Sequence, residues 1–216
     1  MTGDVQIIVL AKAPVPGHVK TRLSPPFSLA EAARLARAAL ADTLVAVAGA
    51  SASRRVLAID GPVSEVPPLE GFEVIPQRGT GLAERLAAAF EDAGAPALLI
   101  AMDTPQVTPE LLERSSRILM EPSVDCVIGP THDGGYWGIG MKEVRPEAFL
   151  DVPMSTPKTF LAQRDRLVNR GLRIRSLPRL RDVDEFHDAW VVAAEKPGTN
   201  FAYALAEITA RAGVIA

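Results

Sequence analysis

Three cations, Lys12, Lys20 and Arg22, lie within eleven residues that also hold Pro14, Pro16 and Gly17. Prolines restrict the backbone, so the positive charge is carried on a conformationally fixed loop rather than spread over a surface. Lys and Arg on such a loop make charge-assisted hydrogen bonds to phosphoryl oxygens, and backbone N–H groups at a following helix N-terminus add to them. The spacing is that of neither G-x-x-x-x-G-K-[ST] nor G-x-G-x-x-G. Acidic residues gather elsewhere: Asp103 closes the apolar run Ala97 to Met102, Asp133 precedes Gly134-Gly135, and Asp182 and Asp184 stand two apart. Carboxylate oxygens are hard ligands suited to Mg²⁺ or Mn²⁺, which take one or two of them and fill the remaining positions with water and phosphate. Asp103 has two readings, turning the next segment or binding a cation, and the cation is the one expected. Asp184 either ligates the ion or caps the next helix. Asp133 alone reads as a turn residue, while Gly134 and Gly135 allow a ligand to approach the backbone closely.

Other chemistries find less support. His18, His132 and His187 lack a metal-ligand spacing, although His132 beside Asp133 is a candidate pocket residue or general base. Tyr136 and Trp137 suit core or pocket wall, with a base or sugar as the alternative occupant. No serine stands in G-x-S-x-G, so a Ser/His/Asp hydrolase has no local signature. The single cysteine, Cys126, sits inside an apolar run; it excludes an intramolecular disulfide and a cysteine zinc cluster, and reads as a buried, inert thiol in a reducing compartment. A net charge of −3 argues against coating nucleic acid or an anionic membrane. No apolar run approaches the roughly 20 residues of a membrane span, and the N-terminus lacks a basic segment followed by a cleavable apolar stretch. The expected location is cytoplasmic.

The elements that must position these residues follow from periodicity and punctuation. Continuous apolar runs at Val5–Leu10, Arg55–Ile59, Phe72–Ile75, Ala97–Met102 and Val124–Ile128 read as strands, joined by Tyr136–Met141 and a late strand at Arg173–Leu177. Ser28 to Glu31 is a capping box, and apolar positions at helical spacing continue to Gly49. Further helices are expected over Leu82–Ala93, from Pro109 behind the Thr108 cap to Met120, from Thr156-Pro157 to Asn169, through Glu195, and from Thr199 to Arg211. Strand and helix alternate without an internal repeat, which makes a three-layer α/β/α sandwich of one 216-residue domain. In such sheets ligands bind outside the carboxyl ends of the strands, where the cationic loop and the aspartates are expected to meet.

Six blocks, in order along nearly the whole chain, carry a resemblance: Ala11 to Gly17 with Lys20 to Leu23, Gln77 to Arg85, Met102 to Pro105, Gly129 to Tyr136, Ser155-Thr156, and Asp182 to Asp184 with Asp188. Together they resemble a bacterial family of GT-A-type glycosyltransferases, the group often found with radical-SAM and selenium-domain proteins. That family lies in the nucleotide-diphospho-sugar transferase superfamily, which also holds phospholactate guanylyltransferase and the molybdenum-cofactor nucleotidyltransferases. The resemblance implies a mixed, mostly parallel, Rossmann-like sheet, with a nucleotide-binding half over about residues 1–105 and an acceptor-binding half over about 106–216. It implies that Ala11, Lys12, Gly17, Lys20, Arg22, Gln77, Gly81 and Arg85 hold the nucleotide and its phosphates. Asp103 would be the first metal ligand and Asp184 the second, while Asp133, Gly134, Gly135, Tyr136, Ser155 and Thr156 would line the acceptor side. Asp103, Lys20 and Asp133 are the expected catalytic residues. The chain departs from the family at Met102, usually a small polar residue, and at Met154, usually an aromatic.

The expected function is therefore a Mg²⁺- or Mn²⁺-dependent transfer of a sugar from a nucleotide-sugar to an acceptor. Asp103 stands alone rather than in an Asp-x-Asp pair, which keeps open nucleotidyl transfer from a nucleoside triphosphate to a small phosphorylated acceptor. A non-catalytic nucleotide-binding module is the third reading; the presence of Lys20, Arg22 and Asp103 weighs against it.

Overall fold

The central apolar runs become strands covered on both faces, while the two edge strands, Glu73–Pro76 and Ile174–Ser176, stay largely exposed. The computed structural model describes residues 5–68 and 70–212. Its strands are β1 (Gln6–Lys12), β2 (Arg55–Asp60), β3 (Glu73–Pro76), β4 (Ala97–Ala101), β5 (Cys126–Pro130), β6 (Tyr136–Met141) and β7 (Ile174–Ser176). They form one sheet in the order β3-β2-β1-β4-β6-β5-β7. Only β6 among the described strands opposes the rest, pairing antiparallel with β4 and β5, so the sheet is mixed and mostly parallel. The chain moves outward from β1 through β2 to β3 and then returns to place β4 on the other side of β1. Crossovers diverge there, which opens a crevice at the carboxyl ends of β1 and β4. Lys20 follows the first of these strands and Asp103 the second.

Six α-helices lie among the described residues: α1 (Leu29–Gly49), α2 (Leu82–Ala93), α3 (Pro109–Met120), α4 (Thr159–Asn169), α5 (Phe186–Glu195) and α6 (Asn200–Ala212). Local chemistry sets their starts. Ser28 Oγ accepts from the Glu31 N–H at 3.2 Å while the Ser28 N–H donates to Glu31 at 2.8 Å, and Thr108 Oγ1 accepts from Leu111 N–H. Helices α1 and α3 pack Leu40, Leu44 and Leu112 onto Ile7, Val9, Leu98 and Ile100 on one face. On the other face, α2 and α4 set Leu86, Phe90 and Leu167 among residues that include Ile8, Leu99 and Ile139.

The expected three layers are present, with one addition. A third apolar cluster joins the outer side of α1, through Ala32, Leu35 and Ala39, to Val183, Val192, Phe201 and Leu205 of the C-terminal region. Helix α1 is thus covered on two sides, which suits its alanine content: small side chains let α6 approach it closely, with α5 packed on α6. Boundaries shift modestly elsewhere. Lys12 ends β1 instead of opening the loop, and a single 3-10 turn at Thr21–Leu23 precedes α1. Helix α4 begins at Thr159 rather than Thr156, because residues 155–158 lie against the β5–β6 turn, to which the Phe160 N–H is bonded through Gly134 O at 2.8 Å.

Two side chains are structural. Trp137 is buried, with Nε1 donating to Pro178 O at 2.9 Å, and a Cβ on Gly129 would come within 2.3 Å of its ring. Cys126 is 1% exposed, and burial pushes its thiol up to about 12, as an inert core thiol requires.

Candidate functional site

Three carboxylates, those of Asp133, Asp182 and Asp184, each offer an oxygen such that all three oxygens lie within 4.8 Å of one another. They reach this point from two elements. Asp133 follows β5, in the turn to β6, where its Oδ1 accepts from the Gly135 N–H at 2.8 Å and from the Thr131 hydroxyl. The turn role and the carboxylate cluster therefore coexist in one residue. Asp182 and Asp184 lie on the extended segment after β7, and Val183 between them is buried in the third apolar cluster. Alternation along an extended chain turns the two acidic side chains to the same side, away from Val183. This segment is anchored at two points: the Val183 N–H donates to Asp103 O at 3.0 Å, and the Arg181 O accepts from Gln106 Nε2 at 2.6 Å.

Asp103 stands beside this cluster and is bridged to it by Lys20. The Lys20 ammonium lies 2.7 Å from Asp103 Oδ2 and 2.8 Å from Asp184 Oδ1, and its side chain is 10% exposed. Burial acts to lower the lysine's pKa, but Asp103 and Asp184 more than offset this and hold it above its ordinary value. Lys20 adopts a left-handed backbone, φ 49°, an uncommon conformation for a lysine and one that tends to persist where the surroundings enforce it. Arg22 Nη1 takes the other oxygen of Asp184 at 2.8 Å while its side chain stays 68% exposed. Burial pushes Asp184 up, yet the two cations hold it below the usual carboxylate range. Asp182 has no such partner among the described residues. Burial first, then repulsion from Asp103, Asp133 and Asp184, raises it to about 7.

These observations bear on a cation. The donor set is all carboxylate oxygen, hard and acidic, and one member, Asp182, is raised to about 7 by burial and then by the charges around it. A divalent ion would relieve that repulsion, so Asp133, Asp182 and Asp184 fit Mg²⁺ or Mn²⁺.

The remaining candidates fall into two groups. On the β1–β2–β3 side, Gln77 Nε2 donates to Ala11 O at 2.7 Å and to Ala58 O at 3.0 Å. Arg85 pairs with Asp60, reaches Gln77 Oε1 at 3.4 Å and follows Gly81, the N-cap of α2. Lys12 is exposed at the end of β1, and Gly17 occupies the loop beyond with φ +81°. These residues line the carboxyl ends of their strands but lie outside the carboxylate cluster. On the other side, Gly134 has φ +92°, and a Cβ there would come within 2.1 Å of Pro157 O, so the acidic turn lies flat on the segment holding Ser155 and Thr156. Ser155 is exposed, with φ 58°, and Thr156 Oγ1 accepts from Lys158 N–H at 3.2 Å. The Tyr136 hydroxyl contacts Gln163 Oε1 at 3.3 Å, and burial pushes its phenol upward. His132 is exposed.

The sequence expected Asp103 and Asp184 as the ligand pair; the structure instead groups Asp184 with Asp133 and Asp182 and sets Asp103 beside them, bound to Lys20, because spacing along the chain does not show which carboxylates the fold brings together. The signal was Val183: an apolar residue between two aspartates in an extended segment places both carboxylates on one side.

The fold and the acidic strand ends define a Rossmann-like α/β protein of the nucleotide-diphospho-sugar transferase type of architecture. The chain belongs to the family described as "Uncharacterized protein conserved in bacteria (DUF2064)", which matches over residues 31–156. A crystal structure from Desulfovibrio desulfuricans G20, provisionally described as a nucleotide-diphospho-sugar transferase, shares 26% identity, covers 95% of each chain and superposes with a TM-score of 0.84. More distant likenesses show the fold alone. Rv0371c from Mycobacterium tuberculosis H37Rv is 22% identical over 89% of this chain and 98% of its own, with a TM-score of 0.57. It has also been solved as a complex with manganese. CMP:2-keto-3-deoxy-manno-octonic acid synthetase complexed with CTP is 14% identical over 89% of this chain and 98% of its own, with a TM-score of 0.57. No curated protein matches the chain in sequence.

Proposed function

We propose that this protein is a Mg²⁺- or Mn²⁺-dependent transferase that uses a nucleotide-sugar donor. The observation that carries the reading is the convergence of Asp103, Asp133, Asp182 and Asp184 with Lys20 and Arg22 at the carboxyl ends of the central strands. The manganese complex of Rv0371c and the description of the Desulfovibrio protein support it. Asp133, Asp182 and Asp184 would hold the ion, with Asp103 beside them. When bound, such an ion neutralises phosphoryl charge and stabilises a departing phosphate.

The chain's own residues divide the remaining work. Arg22, exposed and joined to Asp184 by one contact, is the cation placed to turn toward a phosphoryl oxygen, a geometry suited to guanidinium. Lys12 and the loop around Gly17 add charge and backbone donors on the same side. Ala11, Gln77, Gly81 and Arg85 form the wall for the nucleoside, giving the half over residues 1–105 the donor. Asp133, Gly134, Gly135, Tyr136, Ser155 and Thr156 face the acceptor, within residues 106–216. Among the described residues no helix is long and apolar enough to cross a membrane. We place the protein in the cytoplasm, where a single unpaired cysteine stays reduced.

A second reading, nucleotidyl transfer to a phosphorylated acceptor, is favoured by one observation: the strand end after β4 carries Asp103 followed by Thr104 and Pro105, with no second aspartate two residues on. Thermal-shift measurements with nucleotide-sugars and nucleoside triphosphates, with and without Mn²⁺, separate the two. Mn²⁺-dependent stabilisation by a nucleotide-sugar and its nucleoside diphosphate is the expected outcome. Selective stabilisation by one triphosphate would move the assignment to nucleotidyl transfer, and no stabilisation by any of them would overturn both.

A further inference from the structure

Lys20 carries a consequence that a role in phosphate binding does not explain. Its ammonium does not face open solvent at the mouth of the loop. It is 10% exposed, held by carboxylates from two different segments at 2.7 and 2.8 Å, on a left-handed backbone that turns it inward. Asp184 is common to both arrangements: one oxygen contacts Lys20, and the residue also supplies an oxygen to the cluster with Asp133 and Asp182. Two cation positions that share a bridging carboxylate are the layout of a two-metal centre, in which the ions sit about 3.5–4 Å apart. Here one of the two positions is already filled by a side chain.

We propose that Lys20 takes the place of a second divalent ion, so that this centre binds a single Mg²⁺ or Mn²⁺ at Asp133, Asp182 and Asp184 while the ammonium permanently occupies the position between Asp103 and Asp184. The inference rests on the metal reading given above and adds the number of ions and the residue that sets it. Lys20 is a positioning residue in this account. It neutralises Asp103 and Asp184 and holds the β4 end against the 182–184 segment, while the other Asp184 oxygen, which meets the exposed Arg22, is the one an ion would share. An ammonium is monovalent and has three donors, two of them taken by Asp103 and Asp184, so it stabilises the carboxylates and offers a phosphate oxygen one hydrogen bond at most, not a coordination site. Phosphate contact then falls chiefly to the single ion and to Arg22, with Lys12 and the Gly17 loop beside them. Arg22 cannot substitute for Lys20, because its side chain is 68% exposed and it meets Asp184 only.

Stoichiometry tests this without any turnover. Mn²⁺ bound per chain is counted by calorimetric titration and by electron paramagnetic resonance of free Mn²⁺ in wild type, Lys20→Met, Lys20→Arg, and the double variant Lys20→Met with Asp103→Asn. The methionine keeps most of the apolar stem and removes the charge. The expected result is one ion for wild type and Lys20→Arg, two for Lys20→Met, and one again for the double variant, which folds without an uncompensated pair of carboxylates. Exchange-coupled spectra in Lys20→Met would mark the second ion as adjacent to the first. One ion in Lys20→Met, or two in wild type or in Lys20→Arg, would overturn the proposal while leaving the metal reading intact. No ion in any of the four proteins would remove the metal reading itself, and this inference with it.

Discussion

The main chains of Asp103 and Val183 are joined directly, Val183 N–H to Asp103 O at 3.0 Å, although the residues lie eighty positions apart. That bond sets the 182–184 segment against the end of β4. It brings the Asp182 and Asp184 carboxylates beside Asp103 irrespective of their mutual repulsion, and burial together with that repulsion raises the Asp182 acid.

Asp182 therefore links stability to pH. Its folded-state pKa, near 7, stands above the ordinary 3.8, so the folded protein holds this proton more tightly than the unfolded chain. The favourable contribution is complete below about pH 4 and is lost as pH rises to about 7. Asp182→Asn removes this dependence. We expect the variant to be more stable than wild type at pH 8, by roughly 1–3 kcal/mol after allowance for solvent screening, and equal to it at pH 4. Urea unfolding at the two pH values measures the difference. Added Mn²⁺ should raise the melting temperature of wild type at pH 8 and leave that of Asp182→Asn nearly unchanged.

Asp125 titrates in the opposite sense. Arg173 grips its carboxylate through the backbone N–H at 2.8 Å, Nε at 2.8 Å and Nη2 at 2.7 Å, tying the start of β5 to β7. These bonds hold the acid well below the usual carboxylate range. The stabilisation is present above about pH 4 and is lost as pH falls below that. Asp125→Ala is expected to cost about 1–2 kcal/mol at pH 7, a value for a multiply bonded but partly exposed pair, with the gap to wild type closing in acid. Denaturation at pH 7 and pH 2.5 gives the comparison; an equal gap at both would refute the assignment.

Gly134 tests the contact between the acidic turn and the segment before α4. Its φ of +92° and the 2.1 Å approach of an added Cβ to Pro157 O leave no room for a side chain. Gly134→Ala is expected to lose roughly 2 kcal/mol or more, since strain and steric overlap act together. Loss of hydrogen-exchange protection at the Phe160 amide, which bonds to Gly134 O, would localise the damage.

Much of this architecture was legible in residue patterns. The Ser28–Glu31 box, the Thr108-Pro109 start and the Gly94 stop place α1, α2 and α3 where the sequence expects them, because helix ends are set by local hydrogen bonds. The central strands were equally plain, as burial on both faces removes polar alternation. What local pattern could not supply is the pairing across the chain. Lys20 looks like an anion-binding lysine because prolines and a glycine surround it, and only the fold brings Asp103 and Asp184 to its ammonium from 83 and 164 positions away. The covering of α1 by α5 and α6 was hidden for a related reason: alanines on the outer side of a helix suit solvent and close packing alike.

That covering reaches further than stability. Val183 is a peg set in the apolar cluster formed by α1, α5 and α6, and the two carboxylates on either side of it are aligned by how firmly that peg is seated. The C-terminal helices, which contribute none of the clustered carboxylates, thus act as the gauge of the acidic centre. A shift of α5 against α1 would change the spacing of Asp182 and Asp184 from Asp133 while leaving the sheet unmoved.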